Sequence, residues 1–258
     1  YAAAMRAIDF GKKVCLVEAK KVGGAGVYHG ALSSKTLWEL SQRVKNVNET
    51  IISIGRDPFE ISWAEVKKTL DEAIFERKFQ YSCHIKLLKN QRGDLFSYRR
   101  GYGRIISKHE VSVSRPDEED VILNTENIII ATGSRPRKLP HILADEKAIF
   151  TSDGIDTISD YPKSLVIVGA GVIGCEYATI FANFGKKKVH LIDRAKRILP
   201  FEDEDVSELI SNKMENQGVV IHRKANLKRI EQKNGQVEYE IENENGEIEV
   251  ITVEKALL

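Results

Sequence analysis

The chain has 258 residues, enough for two domains, with 42% hydrophobic and 30% charged residues and a formal net charge of +1. A balance this close to neutral excludes the electrostatic footprint of a nucleic-acid or membrane-surface binder, and no apolar run reaches the ~20 residues of a membrane span. The three cysteines, Cys15, Cys83 and Cys175, are scattered and odd in number. They argue against a disulfide scaffold or a zinc site, and for an intracellular reducing compartment such as cytoplasm or mitochondrial matrix. No signal peptide is read at the start, although Tyr1 need not be the natural first residue.

In chain order, residues 1–10 read as a helix, residues 14–17 as a strand, and Glu18 as the acid at that strand's end. Residues 23–39, GGAGVYHGALSSKTLWE, open on Gly23-Gly24 and turn helical at about Ser33, with Ser33 or Ser34 as N-cap. Residues 44–60 read as a loop. A long amphipathic helix is predicted over 62–88, with Trp63, Val66, Leu70, Ile74 and Phe75 on its buried face. Gly101-Tyr102-Gly103 opens a small β-meander over about 101–123, with strands at 104–106, 110–113 and 121–123 and a turn at Pro116-Asp117-Glu118. A strand over 127–131 runs into Thr132-Gly133-Ser134. Residues 140–162 form a linker. Later strands are predicted at 219–222, 237–242 and 247–253. The charged run 202–205 reads as a solvated loop or helix start.

The most informative stretch is residues 163–177, KSLVIVGAGVIGCEY. A buried parallel strand at 165–168 meets Gly169, Gly171 and Gly174 in G-x-G-x-x-G spacing. A helix over 176–183 follows, then a strand at 189–192 ending on Asp193. Gly169 permits the turn, Gly171 lets backbone approach a pyrophosphate, and Gly174 lets helix and strand pack closely. The helix start, with Val172 and Ile173, offers N–H groups and a positive dipole end to phosphate. Asp193, 24 residues past Gly169, stands where an acid bonds a ribose 2′-OH. The alternative is a purely structural glycine turn.

The chain also repeats itself. Residues 10–18, FGKKVCLVE, match 184–193, FGKKKVHLID, with one extra lysine. Aligning Phe10 with Phe184 places Ala4 on Ala178 and Tyr1 on Cys175, just after Gly174. Two Rossmann-like dinucleotide-binding α/β domains are therefore expected, the first lacking its opening strand and glycine loop.

With Glu18, Gly23-Gly24, Ser34-Lys35, Gly101–Gly103, Ala131-Thr132-Gly133-Ser134 and GVIGCEYA at 171–178 in this order, the chain resembles the flavoprotein disulfide reductase family. Within it, the pattern resembles in particular the dihydrolipoamide dehydrogenases and the soluble pyridine nucleotide transhydrogenases. The resemblance implies an FAD domain at roughly 1–160, followed by an NAD(P) domain at roughly 161–258, and a homodimer. Glu18 would hold the FAD adenosine, and Gly103, Thr132 and Gly133 would touch FAD. Gly23, Gly24, Ser34 and Ser134 belong to the same cofactor-binding set. Lys35 would sit beside the flavin, paired with Glu176 from the nicotinamide side. The family's redox disulfide matches Gly26 and Ala31, so both cysteines are absent, and neither Cys15 nor Cys175 replaces them by position. Ser33 stands where the family carries proline.

Each residue also has a plainer reading. Glu18 reads as an exposed strand-end acid, Lys35 as a solvated helix lysine, and Glu176 as a charge near a helix start. Cys175 reads as a small packing residue, Cys83 and His84 as surface or core residues, and His29 as structural. Asp193 favours NAD(H), while Arg194, Lys196 and Arg197 could hold a 2′-phosphate and allow NADP(H). The expected function is an FAD-dependent oxidoreductase passing hydride between NAD(P)H and flavin without a disulfide, with a second electron acceptor unnamed. The competing expectation is a non-catalytic relative retained as a structural or assembly subunit.

Overall fold

The computed structural model describes every residue except His29, Lys138, Pro140, Lys186 and Lys187, and the side chain of Asp156. His29, one of the residues weighed above, therefore lies outside the described residues. In chain order the elements begin with α1 Ala2–Asp9, β1 Val14–Glu18, α2 Gly24–Tyr28, α3 Ala31–Ser53 and α4 Trp63–Gln91. Four strands follow: β2 Phe96–Arg100, β3 Tyr102–Ser107, β4 Glu110–Ser114 and β5 Val121–Asn124. Then come β6 Ile149–Phe150, a 3-10 turn at Ser152–Thr157, β7 Ser164–Val168, α5 Val172–Asn183 and β8 Lys188–Ile192. The last elements are α6 Glu204–Asn216, β9 Val220–His222, β10 Asn226–Lys233, β11 Gln236–Glu242, β12 Ile248–Val253 and β13 Lys255–Leu257.

The chain divides into two compact units, one of Tyr1–Tyr28 with Ala73–Arg135, the other of His29–Glu72 with Pro136–Leu258. In the first, β1 and β2 pair in parallel from Val14↔Phe96 to Glu18↔Arg100. Ile8, Ile85 and Phe96 form its apolar cluster, joined by Met5, Val14, Leu16 and Leu88. β3, β4 and β5 make an antiparallel meander.

The second unit holds a five-stranded parallel sheet in the order β6-β13-β7-β8-β9 and a three-stranded antiparallel sheet, β10-β11-β12. Leu165, Val166 and Ile167 on β7 are all buried, as a parallel strand covered on both faces requires. α5 connects β7 to β8, which makes the β-α-β unit of a dinucleotide-binding fold. Val166, Ile192, Tyr239, Ile241 and Ala256 pack the two sheets together. α3 buries Ser33, Ser34, Leu37, Ser41 and Val44 along one stripe, and it packs against α5.

Four expectations are corrected. The helix after the glycine pair starts at Ala31 with Gly30 as N-cap, so Ser33 and Ser34 lie inside it, buried against the unit's core. It runs to Ser53, so most of the expected loop 44–60 is helical. The stripe ending at Val44 and the Lys45–Glu49 pair at i,i+4 carry the helix through the Asn-rich stretch. Phe75 is exposed, so the buried face of α4 ends near Leu70. Residues 127–131 form no strand, and Ile129 and Ile130 are exposed. Among the described residues the first unit has only the parallel pair β1-β2, and 127–131 ladders with neither.

Sequence reading also missed β2, whose FSYRR gives little apolar signal, together with β6 and β10, whereas α6 begins inside the charged run 202–205, at Glu204.

Candidate dinucleotide site

The site in the second unit is built on the β7–α5 turn. Gly169 adopts φ +103, a left-handed conformation that suits glycine. A Cβ on Gly174 would lie 1.9 Å from the Gly169 carbonyl oxygen, so no other residue fits there without opening the turn. Among the described residues, nothing beyond its own chain neighbours and the adjoining helix backbone lies within 4 Å of where a Cβ on Gly171 would stand. The backbone at this residue is open to an approaching group.

The turn is pinned on several sides. Gly169 N–H donates to the Ile192 carbonyl at 2.8 Å. Ala170 N–H donates to Asp193 Oδ2 at 2.6 Å. The Ala170 carbonyl accepts from Leu199 N–H at 2.8 Å and from the Cys175 thiol at 3.4 Å. Burial pushes that thiol up to about 11. It is therefore a buried neutral packing group, as expected from sequence.

The first bond of α5 runs from Cys175 N–H to the Gly171 carbonyl. The amides of Val172, Ile173 and Gly174 precede that ladder, as at any helix start, and the Val172 and Ile173 side chains are exposed. This is an anion-receptive helix end. Asp193, half-buried at the end of β8, accepts from Ala170 N–H with Oδ2 and from Ala195 N–H with Oδ1 at 2.7 Å. Each carboxylate oxygen keeps a further lone pair, so the acid can tie the glycine turn and still accept a hydroxyl. Arg194 is exposed. Arg197 is committed elsewhere: its guanidinium donates to the Pro200 and Glu202 carbonyls.

Lys35 and Glu176, 141 residues apart in sequence, meet at Nζ–Oε1 2.5 Å. Lys35 lies in the second turn of α3 and Glu176 near the start of α5. Side-chain exposure is 65% for Lys35 and 14% for Glu176, so only the carboxylate is largely removed from water. Water reaches the ammonium, so the pair contributes about 1 kcal/mol or less to stability. Its geometry orients a cation more than it holds the fold.

In the first unit, Gly101 N–H donates to the Glu18 carbonyl at 3.0 Å, and a Cβ on Gly103 would sit 3.4 Å from Val17 Cγ1. These contacts bring Glu18 and Gly103 together at the end of β1. Glu18 Oε1 accepts from Lys20 N–H at 2.8 Å. Gly23, at φ +104, ends the turn before α2, and Gly24 begins that helix. Thr132, Gly133 and Ser134 are exposed on irregular chain, with Gly133 at φ +74. Ser34 is buried inside α3, and so is Ser33. Gly26 lies in α2 and Ala31 begins α3. Cys15 and Cys83 are exposed.

A glycine turn that admits only glycine at its close point, an anion-receptive helix start and a strand-end acid tied to that turn define a dinucleotide-binding α/β protein. The chain belongs to the pyridine nucleotide-disulphide oxidoreductase family, whose sequence profile matches residues 1–256. It is 31% identical over 235 residues to a dihydrolipoyl dehydrogenase of Bacillus subtilis (strain 168), covering 90% of this chain and 50% of the relative. It is 33% identical over 230 residues to the soluble pyridine nucleotide transhydrogenase of Marinomonas sp. (strain MWYL1), covering 89% and 48%. The chain thus spans about half the length of the curated relatives it matches.

Among solved structures, the Cu(II) complex of the HOCl-induced flavoprotein disulfide reductase RclA from Escherichia coli superposes with a TM-score of 0.77 at 25% identity. That match covers 98% of this chain and 52% of the other. LpdA from Mycobacterium tuberculosis gives a TM-score of 0.83 at 20% identity over 99% and 54%, a likeness of fold. The family uses FAD and NAD(P)H. The residues around Gly169–Gly174 and Asp193 fit a nicotinamide dinucleotide, because the close glycine, the open Gly171 backbone and the leading amides are all present. The first unit brings Glu18 and Gly103 together at the end of β1 and leaves Thr132–Ser134 exposed.

Proposed function

We propose that the protein is an FAD-dependent oxidoreductase that passes hydride between NAD(P)H and flavin without a redox disulfide, in the manner of a transhydrogenase or diaphorase. The observation that carries this reading is the Lys35–Glu176 contact at 2.5 Å. It places a solvent-facing ammonium at the start of α3, held by a carboxylate one turn past the glycine site. FAD, when bound, supplies a two-electron centre that exchanges hydride with a nicotinamide.

The chain's own residues bind and orient. The amides of Val172, Ile173 and Gly174 receive a pyrophosphate, and Asp193 accepts a ribose hydroxyl. Arg194 and Lys196 are exposed and take a 2′-phosphate where one is present, since Arg197 is already committed. The preference is thus for NAD(H) with tolerance of NADP(H). Glu18, Gly23, Gly24, Gly103, Thr132, Gly133, Ser34 and Ser134 are the proposed FAD set. Lys35 stabilises negative charge as it develops, and Glu176 aims Lys35. Gly26 and Ala31 offer no thiolate, and thiol–disulfide exchange requires one. The second acceptor is another nicotinamide, a quinone or a dye-like carrier, and the expected assembly is a homodimer.

The test is the visible spectrum of the purified full-length protein with FAD, before and after NADH, in the parent and in Lys35→Ala. Bleaching by NADH in the parent is expected. The variant should keep FAD but be reduced about 10-fold more slowly or worse, because the lost group acts on charge that develops only during transfer. Equal rates would remove Lys35 from the reaction. Bound FAD that NADH never bleaches would favour the second reading, a structural or assembly subunit, which the missing cysteine pair at 26 and 31 also suits.

A further inference from the structure

A buried polar chain joins three helices of the second unit. Gln217, which caps the C-terminus of α6, donates through Nε2 to Asn183 Oδ1 at 3.0 Å. Asn183, the last residue of α5, donates through Nδ2 to Ser41 Oγ on α3 at 3.2 Å. Ser41 in turn donates to the Trp38 carbonyl of its own helix at 2.8 Å. Every bond runs in the same sense, so each donor polarises the next. Asn183 and Ser41 are both buried.

The chain sits at a telling distance from the Lys35–Glu176 pair. Ser41 lies six residues past Lys35 on α3, and Asn183 seven past Glu176 on α5. At 1.5 Å per residue these are axial offsets of about 9 Å and about 10.5 Å. α3 and α5 are therefore clamped at two points of nearly matched spacing, one exposed and ionic, the other buried and neutral. A slide of one helix past the other by a single residue, ~1.5 Å, would break the Asn183 Nδ2–Ser41 Oγ bond and leave a buried amide donor unpaired, and that is costly. It would equally move the Lys35 backbone by that distance relative to Glu176 and stretch their 2.5 Å contact until the lysine takes another rotamer. The exposed ion pair is too weak to fix this register alone, whereas a buried amide has one satisfied register, as a buried Asn has in a coiled coil.

We propose that Asn183, through Ser41 and Gln217, is the positioning residue that sets the α3–α5 register and thereby holds Lys35 on Glu176. The consequence for hydride transfer rests on the function proposed above, but the register itself does not. Replacing Asn183 by a similar-sized apolar residue separates register from stability. Leucine fills the space and removes the buried amide; it leaves Gln217 Nε2, on a half-buried residue, without its acceptor, a modest cost in stability, while the helices lose the contact that picks one register.

The test is zero-length carbodiimide cross-linking of Lys35 to Glu176 in the full chain, read by mass spectrometry of the joined peptides, beside the melting temperature. The parent should cross-link. Asn183→Leu should cross-link several-fold less with a melting temperature within a few degrees of the parent. Ser41→Ala, a smaller change on an intact helix, should behave likewise and decides the matter if the leucine variant does not fold. Unchanged cross-linking in both variants, or none in the parent, overturns the proposal. With FAD and NADH added, the variants should lose flavin-reduction rate several-fold with nucleotide affinity unchanged. Lost cross-linking with an undiminished rate would leave the positioning intact and remove the pair from the reaction.

Discussion

At the scale of single residues, the dinucleotide site depends on two contacts that allow little substitution. Gly174 faces the Gly169 carbonyl so closely that an added Cβ would stand 1.9 Å away, and backbone cannot yield as a flexible side chain can. Gly174→Ala should cost about 1–3 kcal/mol in stability, the scale of overpacking, and weaken nucleotide binding further by opening the turn. Chemical denaturation and NADH titration check both. Asp193 holds the amides of Ala170 and Ala195 and, in the proposed function, also offers an acceptor to the ribose. Asp193→Ser should weaken NADH binding by about 1–2 kcal/mol and NADPH binding less, because the carboxylate repels a 2′-phosphate. It should also lower the melting temperature of the nucleotide-free protein. Equal losses for both nucleotides would show that the acid acts only through the turn.

At the scale of elements, β8 and β9 carry an imidazole pair, one ring buried and the other half-buried. His190 Nδ1 and His222 Nε2 are 2.9 Å apart, with rings stacked at 5.2 Å. Burial holds His190 down to about 4 against an ordinary 6.5, and His222 and Lys188 push it the same way. His222 is also lowered by burial, against an upward pull from Glu249. Both rings are thus neutral in the fold near pH 7. As pH falls through about 6.5 the unfolded chain takes up protons that the folded one refuses until near pH 4, so stability is full above that window and lost within it. The His222 carbonyl accepts Asp193 N–H at 3.0 Å, so the loss loosens the strand end that carries the site's acid. The melting temperature should drop by several degrees between pH 7 and pH 5, and by less in His190→Leu. A parent profile flat over that range would show that the pair bears no such load.

At the scale of the whole molecule, what the sequence made legible follows from where its signals are local. The glycine spacing, the apolar run of β7 and the strand-end acid lie within about thirty residues of one another, so the β-α-β unit could be read directly. The Lys35–Glu176 pairing, 141 residues apart, came only through family resemblance, because no periodicity links two distant helix starts. The register chain Ser41–Asn183–Gln217 left no trace, since a serine, an asparagine and a glutamine at these positions look like ordinary surface residues until packing buries them. The failures have a common cause in tertiary context. α3 continues past Asn46 and Asn48 because one face is held by packing, whereas the apolar stretch at 127–131 stays irregular because β1 and β2 leave it unpaired. Propensity is a weak prior where long-range partners decide.

The central claim is electron transfer through a flavin with no dithiol beside it, and the count of electrons tests it most directly. In an anaerobic reductive titration of the FAD-loaded full-length protein, a flavin alone takes up two electrons, whereas a flavin with a redox disulfide takes up four. The account predicts complete bleaching after one two-electron equivalent, with no further uptake and no gain in titratable thiols. Uptake of a second two-electron equivalent, or steady oxidation of dihydrolipoamide by the same protein, would contradict it.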